Sequence, residues 1–101
     1  MEAIYRLARE RGVAIECADL GDWGAAELRA EYDPAGPTIR INARVLQRLP
    51  AEERDAFAAR AVAHELYHHA ERLGVIPHRA DPMARERAAD DFACEMLRCH
   101  D

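Results

Sequence analysis

The sequence predicts an α+β domain in which a small sheet comes first and packed helices come last. From Val13 to about Asn42 the apolar residues alternate with polar ones, and beyond it they recur three and four apart. Length is the third observation, because 101 residues support one core and no second domain. Half of the residues count as hydrophobic, yet 21 are alanine and 6% are aromatic. The core must therefore form by close approach of helices around a few large side chains.

Each element has its own signal. Ile4, Leu7 and Ala8 share a helical face and Gly12 is a suitable stop, which predicts a helix over 2–11. Val13, Ile15 and Cys17 alternate with smaller or polar neighbours and predict a short strand, followed by a turn within 19–24. Leu28, Ala30 and Tyr32 alternate with Glu27, Arg29 and Glu31, as in a strand with one wet face. Asp33-Pro34-Ala35-Gly36-Pro37 is a strong turn signal. Ile39 and Ile41 then alternate with Thr38, Arg40 and Asn42, completing a β-hairpin and a sheet of about three strands.

In the second half, Asn42 is suited to cap a short helix over 43–48 that ends before Pro50. A long helix is predicted from Ala51 to Leu73, stopped by Gly74, with Ala59, Val62, Ala63, Leu66, Ala70 and Leu73 as its apolar stripe. Asp81-Pro82 reads as an N-cap with proline at the first helical position. The last helix, about 82–98, is expected to bury Ala89, Phe92, Ala93, Met96 and Leu97.

Composition removes whole classes of chemistry. With no serine, no lysine and a single threonine, Thr38, the chain cannot build a Ser-His-Asp hydrolase, a Lys Schiff-base enzyme or a Walker-type phosphate loop. All 14 basic residues are arginines scattered among acids and the net charge is −5, so no basic stripe exists and nucleic acid is not expected as a direct ligand. Cys17, Cys94 and Cys99 form no C-x-x-C pair, and the first dozen residues carry charges throughout. No apolar run approaches the ~20 residues of a membrane span. The expectation is a cytoplasmic protein with three free thiols and no membrane partner. Cys99-His100, at the end of the chain, reads as a frayed terminus and not as a ligand pair.

One constellation carries chemistry. Ala63-His64-Glu65-Leu66-Tyr67-His68-His69 lies within the long helix. Residues four apart on a helix differ by about 40° in azimuth, so His64 and His68 can aim both imidazoles at one point. Neutral imidazole is a favoured zinc ligand. Glu65 lies about 100° round from His64, too far to ligate but placed to take a proton from a metal-bound water and deliver it to a leaving amine. His69 is one residue out of phase with that face and is expected to be solvated.

A catalytic zinc needs a third protein ligand and one open position. Glu86 and Asp90, four apart on the last helix, border its apolar stripe and face the helix that carries the histidines. Glu86 is the candidate third ligand. Asp90 is the candidate acceptor for the outer nitrogen of a liganding histidine, which would set its tautomer. An ordinary boundary ion pair is the plain alternative for both. Tyr67, His78 and His69 are candidate transition-state donors, and the spacing does not choose among them.

Three stretches of the chain resemble the ImmA/IrrE family of zinc metallopeptidases. Thr38-Ile39-Arg40-Ile41-Asn42 resembles the family's strand ending in asparagine before the metal helix. Phe57 through His68 resembles its F-x-x-A-H-E-x-x-H helix, with the phenylalanine displaced upstream, and Glu86 through Met96 resembles its E-x-E-A-(N/D)-x-F-A-x-x-L motif. The resemblance spans roughly residues 26–97. It implies a zincin-like fold, His64, His68 and Glu86 as Zn2+ ligands, Glu65 as general base, and a cytoplasmic protease that often cuts or controls a helix-turn-helix repressor. Two positions depart from the family pattern, with Tyr67 in place of a small residue and Ala88 in place of the second glutamate.

The expected activity is zinc-dependent hydrolysis of a protein or peptide substrate, held as an added strand on a sheet edge near residues 27–32. The alternatives are a protein-binding module with a structural or vestigial zinc site and a zinc hydrolase of a non-peptide substrate.

Overall fold

The computed structural model describes residues 2–21 and 28–100, and of Glu2, Arg98, Cys99 and His100 the backbone only. The 22–24 part of the predicted turn, the Glu27 end of the predicted strand and the Cys99-His100 side chains lie outside the described residues. The element order is α1 (Glu2–Glu10), β1 (Ala14–Ala18), β2 (Ala30–Asp33), β3 (Thr38–Asn42), α2 (Ala43–Arg48), α3 (Ala51–Leu73) and α4 (Pro82–His100).

β2 and β3 form the predicted antiparallel hairpin, with Asp33 opposite Thr38 and Ala30 opposite Ile41. Asp33 closes the turn by accepting from the Ala35 N–H at 2.9 Å. β1 adds to the other side of β3 in parallel, Ala14 beside Thr38 and Ala18 beside Asn42, so the sheet order is β1-β3-β2. β3 is thus the central strand and β1 and β2 are edges. Cys17, one of the alternating residues that signalled this strand, is exposed.

The core lies between the sheet and the helices, around Ile4 and Ala8 of α1, Ile39 and Ile41 of β3, Val62 and Leu66 of α3, and Ala93 and Leu97 of α4. Alanines at 59, 63, 89 and 93 are all buried, which lets α3 and α4 lie close together. On the opposite side of β3, Arg40 stands between Glu16 and Glu31, its register partners on the two edge strands, at 3.4 and 3.3 Å, and also meets Asp33 at 3.2 Å. Opposite charges across strands support this register.

Two expectations change. Thr38 and Asn42 were expected on the polar face of β3 but are buried, because each satisfies its side chain internally. Thr38 Oγ1 donates to the Gly36 carbonyl at 2.7 Å. Asn42 Oδ1 accepts from the N–H groups of Arg44 and Leu20, both at 3.1 Å, while its amide donates to the carbonyls of Leu28 at 2.7 Å and Gly21 at 3.1 Å. The predicted cap therefore also holds the residues on either side of 22–27. Leu73, expected at the end of the α3 stripe, is 54% exposed, since burial along α3 ends at Glu71. Gly74 stops it as predicted, in the left-handed region at φ 77° with its N–H on the Ala70 and Glu71 carbonyls.

Candidate metal centre

α3 and α4 meet where the histidines lie. His64 and His68 occupy successive turns of α3, and their Nε2 atoms stand 3.3 Å apart. Glu86, in the first turns of α4, brings Oε2 to 2.9 Å from His64 Nε2 and Oε1 to 3.4 Å from His68 Nε2. The three residues form a group that could hold a metal ion, with donor atoms all within 4.8 Å of one another.

The chemistry of this donor set fits a cation. His64 Nδ1 donates to Asp90 Oδ1 at 2.8 Å, and His68 Nδ1 donates to Glu71 Oε1 at 2.7 Å. Ionised carboxylates only accept, so each Nδ1 carries a proton, and both Nε2 atoms face Glu86. Two imidazole nitrogens and a carboxylate thus converge, and with Nδ1 occupied each Nε2 is the atom available to ligate a cation. The spacing agrees too. Tetrahedral donors at about 2.0–2.1 Å from zinc lie about 3.3–3.4 Å apart, close to the two longer separations here.

Glu71 is a site residue that the sequence analysis missed. Its side chain is 1% exposed, and besides His68 it meets Arg85 of α4, with Arg85 Nε and Nη2 both at 3.3 Å. Burial raises its pKa, but the hydrogen bonds and charges of Arg85 and His68 outweigh burial and leave it below the ordinary carboxylate value. The available signal was spacing, since Glu71 is three residues after His68 and so shares its side of the helix.

His69 corrects another expectation. It is buried, not solvated, with Nδ1 2.5 Å from the Tyr32 hydroxyl and the two rings edge to face. Its phase was measured against the ligand face, whereas it continues the sheet-facing series Ala59, Val62 and Leu66. Burial first, and then the positive charges of Arg72 and Arg11, lower its pKa and favour the neutral ring. Tyr32 is on β2, so this contact ties the edge strand to the helix that bears the histidines.

A cleft of about 420 Å³ opens beside the donors, lined by His64, Glu65, Glu86 and Asp90, by Arg60 one turn before His64 on α3, and by Arg29 and Ala30 where β2 begins. Glu65 is half-buried there. Burial raises its pKa most, the positive charges of His64 and His68 lower it, and Glu86 and Glu31 raise it, for a net rise above the usual carboxylate range.

The candidate donors are not brought into this cleft. Tyr67 packs against Phe92 with ring centres 5.9 Å apart and lines a separate apolar recess with Leu7, Leu66 and Ile76. His78 is exposed in the connection between α3 and α4, and His69 faces the sheet. Cys17 and Cys94 are free thiols, and no described helix is long and apolar enough to cross a membrane. Compared with known proteins, the chain matches no family model, no curated protein and no solved structure.

Proposed function

We propose that this chain is a zinc-dependent peptidase of the ImmA/IrrE type, acting in the cytoplasm on a protein substrate. The observation that carries this reading is the convergence of His64, His68 and Glu86, with both outer imidazole nitrogens already held by carboxylates and Glu65 opening onto the same cleft. A soft-to-borderline ligand set of two imidazoles and one carboxylate, with room for a further ligand, suits zinc in a catalytic site better than a hard cation that prefers oxygen.

Zinc bound there would supply Lewis acidity, making water a better nucleophile and a peptide carbonyl a better electrophile. His64, His68 and Glu86 would hold it, and Asp90 and Glu71 would keep both imidazoles in the Nδ1–H tautomer. A carboxylate oxygen of Glu65 takes a proton from the attacking water as the new C–O bond forms. The same carboxylic acid then gives that proton to the leaving nitrogen as the C–N bond breaks, which returns Glu65 to its starting state.

Substrate has a matching surface. β2 is an edge strand whose first residue, Ala30, lines the cleft, so an extended peptide can pair with its free backbone groups and pass the catalytic carboxylate. By the family resemblance, a helix-turn-helix repressor is the first protein substrate to try.

Replacing Glu65 by glutamine tests the reading. Cleavage of a susceptible protein should fall by about 10²–10⁴-fold, while zinc content measured by atomic emission stays at one ion per chain. Unchanged cleavage by the variant would remove Glu65 from the mechanism, and a wild-type chain that takes up no zinc would remove the mechanism altogether.

A further inference from the structure

The cleft beside the histidines carries charge of both signs, and the two signs are placed differently. Two of its three carboxylates are engaged: Asp90 accepts from His64 Nδ1 and Glu86 spans both Nε2 atoms, while Glu65 is the catalytic carboxylate of the proposed mechanism. Its arginines are not engaged. Among the described residues neither Arg29 nor Arg60 forms an ion pair, although both line the same cleft as Glu65, Glu86 and Asp90. The one side-chain contact of Arg60 is Nη1 to the Cys94 thiol at 3.5 Å, a weak acceptor. What sets Arg29 and Arg60 apart from Arg40 and Arg85, which are occupied by carboxylates, is that they line the cleft beside the catalytic carboxylate with their charge unpaired among the described residues.

Both positions are anchored while their guanidinium groups stay accessible. Arg60 is one turn before His64 on α3, and Phe57, Arg60, Ala61 and His64 follow the three-and-four spacing of a single helix face, all lining the cleft. Arg29 directly precedes β2, and its carbonyl is held by the Asn42 N–H at 2.8 Å. The cleft is thus lined by two cations, one just before the edge strand and one on the metal-bearing helix, together with the apolar Phe57 and Ala30. Guanidinium matches a carboxylate in shape and charge.

We propose that Arg29 and Arg60 select a peptide bearing a carboxylate close to the bond that is cut, and so set the substrate class of this site. The inference rests on the peptidase reading above. The carboxylate comes from one of two sources, an Asp or Glu side chain or the end of the peptide chain.

Matched peptides separate these possibilities. One backbone sequence with an amidated C-terminus is made with Glu, Gln or Lys at each position in turn, and a further set carries Gln with a free C-terminal carboxylate. Cutting by the zinc-loaded chain is followed by mass spectrometry, and binding to zinc-loaded Glu65→Gln by fluorescence anisotropy. At one position near the cut bond, Glu should bind about tenfold more tightly than Gln, the effect of one charge-assisted hydrogen bond partly exposed to water. Lys should be weaker still, and added salt should narrow the gap. Free-carboxylate peptides binding as well as the Glu set would identify the chain end as the group recognised.

Arg60→Gln and Arg29→Gln should each shrink the preference, and Arg60→Glu should turn it toward Lys, with zinc content and thermal midpoint unchanged. If Glu, Gln and Lys peptides bind alike, or the Arg29→Gln/Arg60→Gln double variant keeps the full preference, the selection is refuted even where cutting persists. If nothing is cut, the peptidase reading fails, and the anisotropy series still decides whether the two arginines select a carboxylate.

Discussion

Glutamine at position 71 keeps one acceptor oxygen of nearly the same reach as glutamate, removes the charge, and puts an amide donor where the second oxygen accepts from Arg85 or His68. In the native chain the Glu71 carboxylate, 1% exposed, faces His68 Nδ1 at 2.7 Å and Arg85 at 3.3 Å. Losing that charge makes the His68 contact an ordinary one and weakens the Arg85 contact, and Arg85, 32% exposed, recovers some of its loss from water. Each charge-assisted bond is worth about 1.5–3 kcal/mol against about 1 kcal/mol for a neutral one, so Glu71→Gln should destabilise the fold by about 1–3 kcal/mol. For a domain of this size that lowers the thermal midpoint by roughly 4–8 °C per kcal/mol.

The second consequence concerns the metal. Partners that orient a liganding histidine typically cost about 10–100-fold in affinity when lost, and Glu71→Gln should fall in that range in zinc competition against a chromophoric chelator. Asp90→Asn should cost less, because Asp90 is 68% exposed and water can replace its contact to His64. The ordering Glu71 over Asp90 is the useful result. If Glu71→Gln binds zinc as tightly as wild type, or Asp90→Asn is the more damaging change, Glu71 does not hold His68 for the metal.

Asn42→Ala breaks four hydrogen bonds to buried or half-buried backbone groups. Its cost should be about 2–4 kcal/mol, seen as a lower urea midpoint, and proteolysis should begin first near residues 21–28. Asp33 carries a pH prediction. The Ala35 N–H, and then the Arg40 guanidinium, hold its folded pKa below the unfolded value of about 3.9. The unfolded chain therefore binds more protons in acid, and this contribution is present above pH ~4 and lost as pH falls through the folded pKa. Asp33→Asn should be less stable than wild type at pH 7 and should lose less of its urea midpoint between pH 5 and pH 3. An equal loss in both proteins would count against it.

Much of this molecule was legible in one dimension because its signals are local. The alternation of Ile39 and Ile41, the Asp33–Pro37 turn, the Asp81-Pro82 start of α4 and the Gly74 stop each depend on a few neighbouring residues, and each element stands where its signal lies. The facing of His64 and His68 follows from helical pitch alone. Glu86 was within reach for a related reason, since a carboxylate at the edge of an apolar stripe points toward whatever that stripe packs against.

Other features depend on which surfaces meet, and no neighbour in sequence records that. The parallel pairing of β1 with β3 sets β2 at the edge beside the cleft. Contact of α3 with the sheet buries His69 against Tyr32, and contact of α4 with the far side of α3 places Arg85 on Glu71, whose carboxylate is removed from water. Burial is what turns these groups from ordinary surface residues into fixed partners, because an unpaired polar group removed from water is costly and must find its complement. Sequence by itself determined the ligand-bearing faces of two helices; the fold decided how closely they approach, what holds the imidazoles, and which charges are left facing the opening.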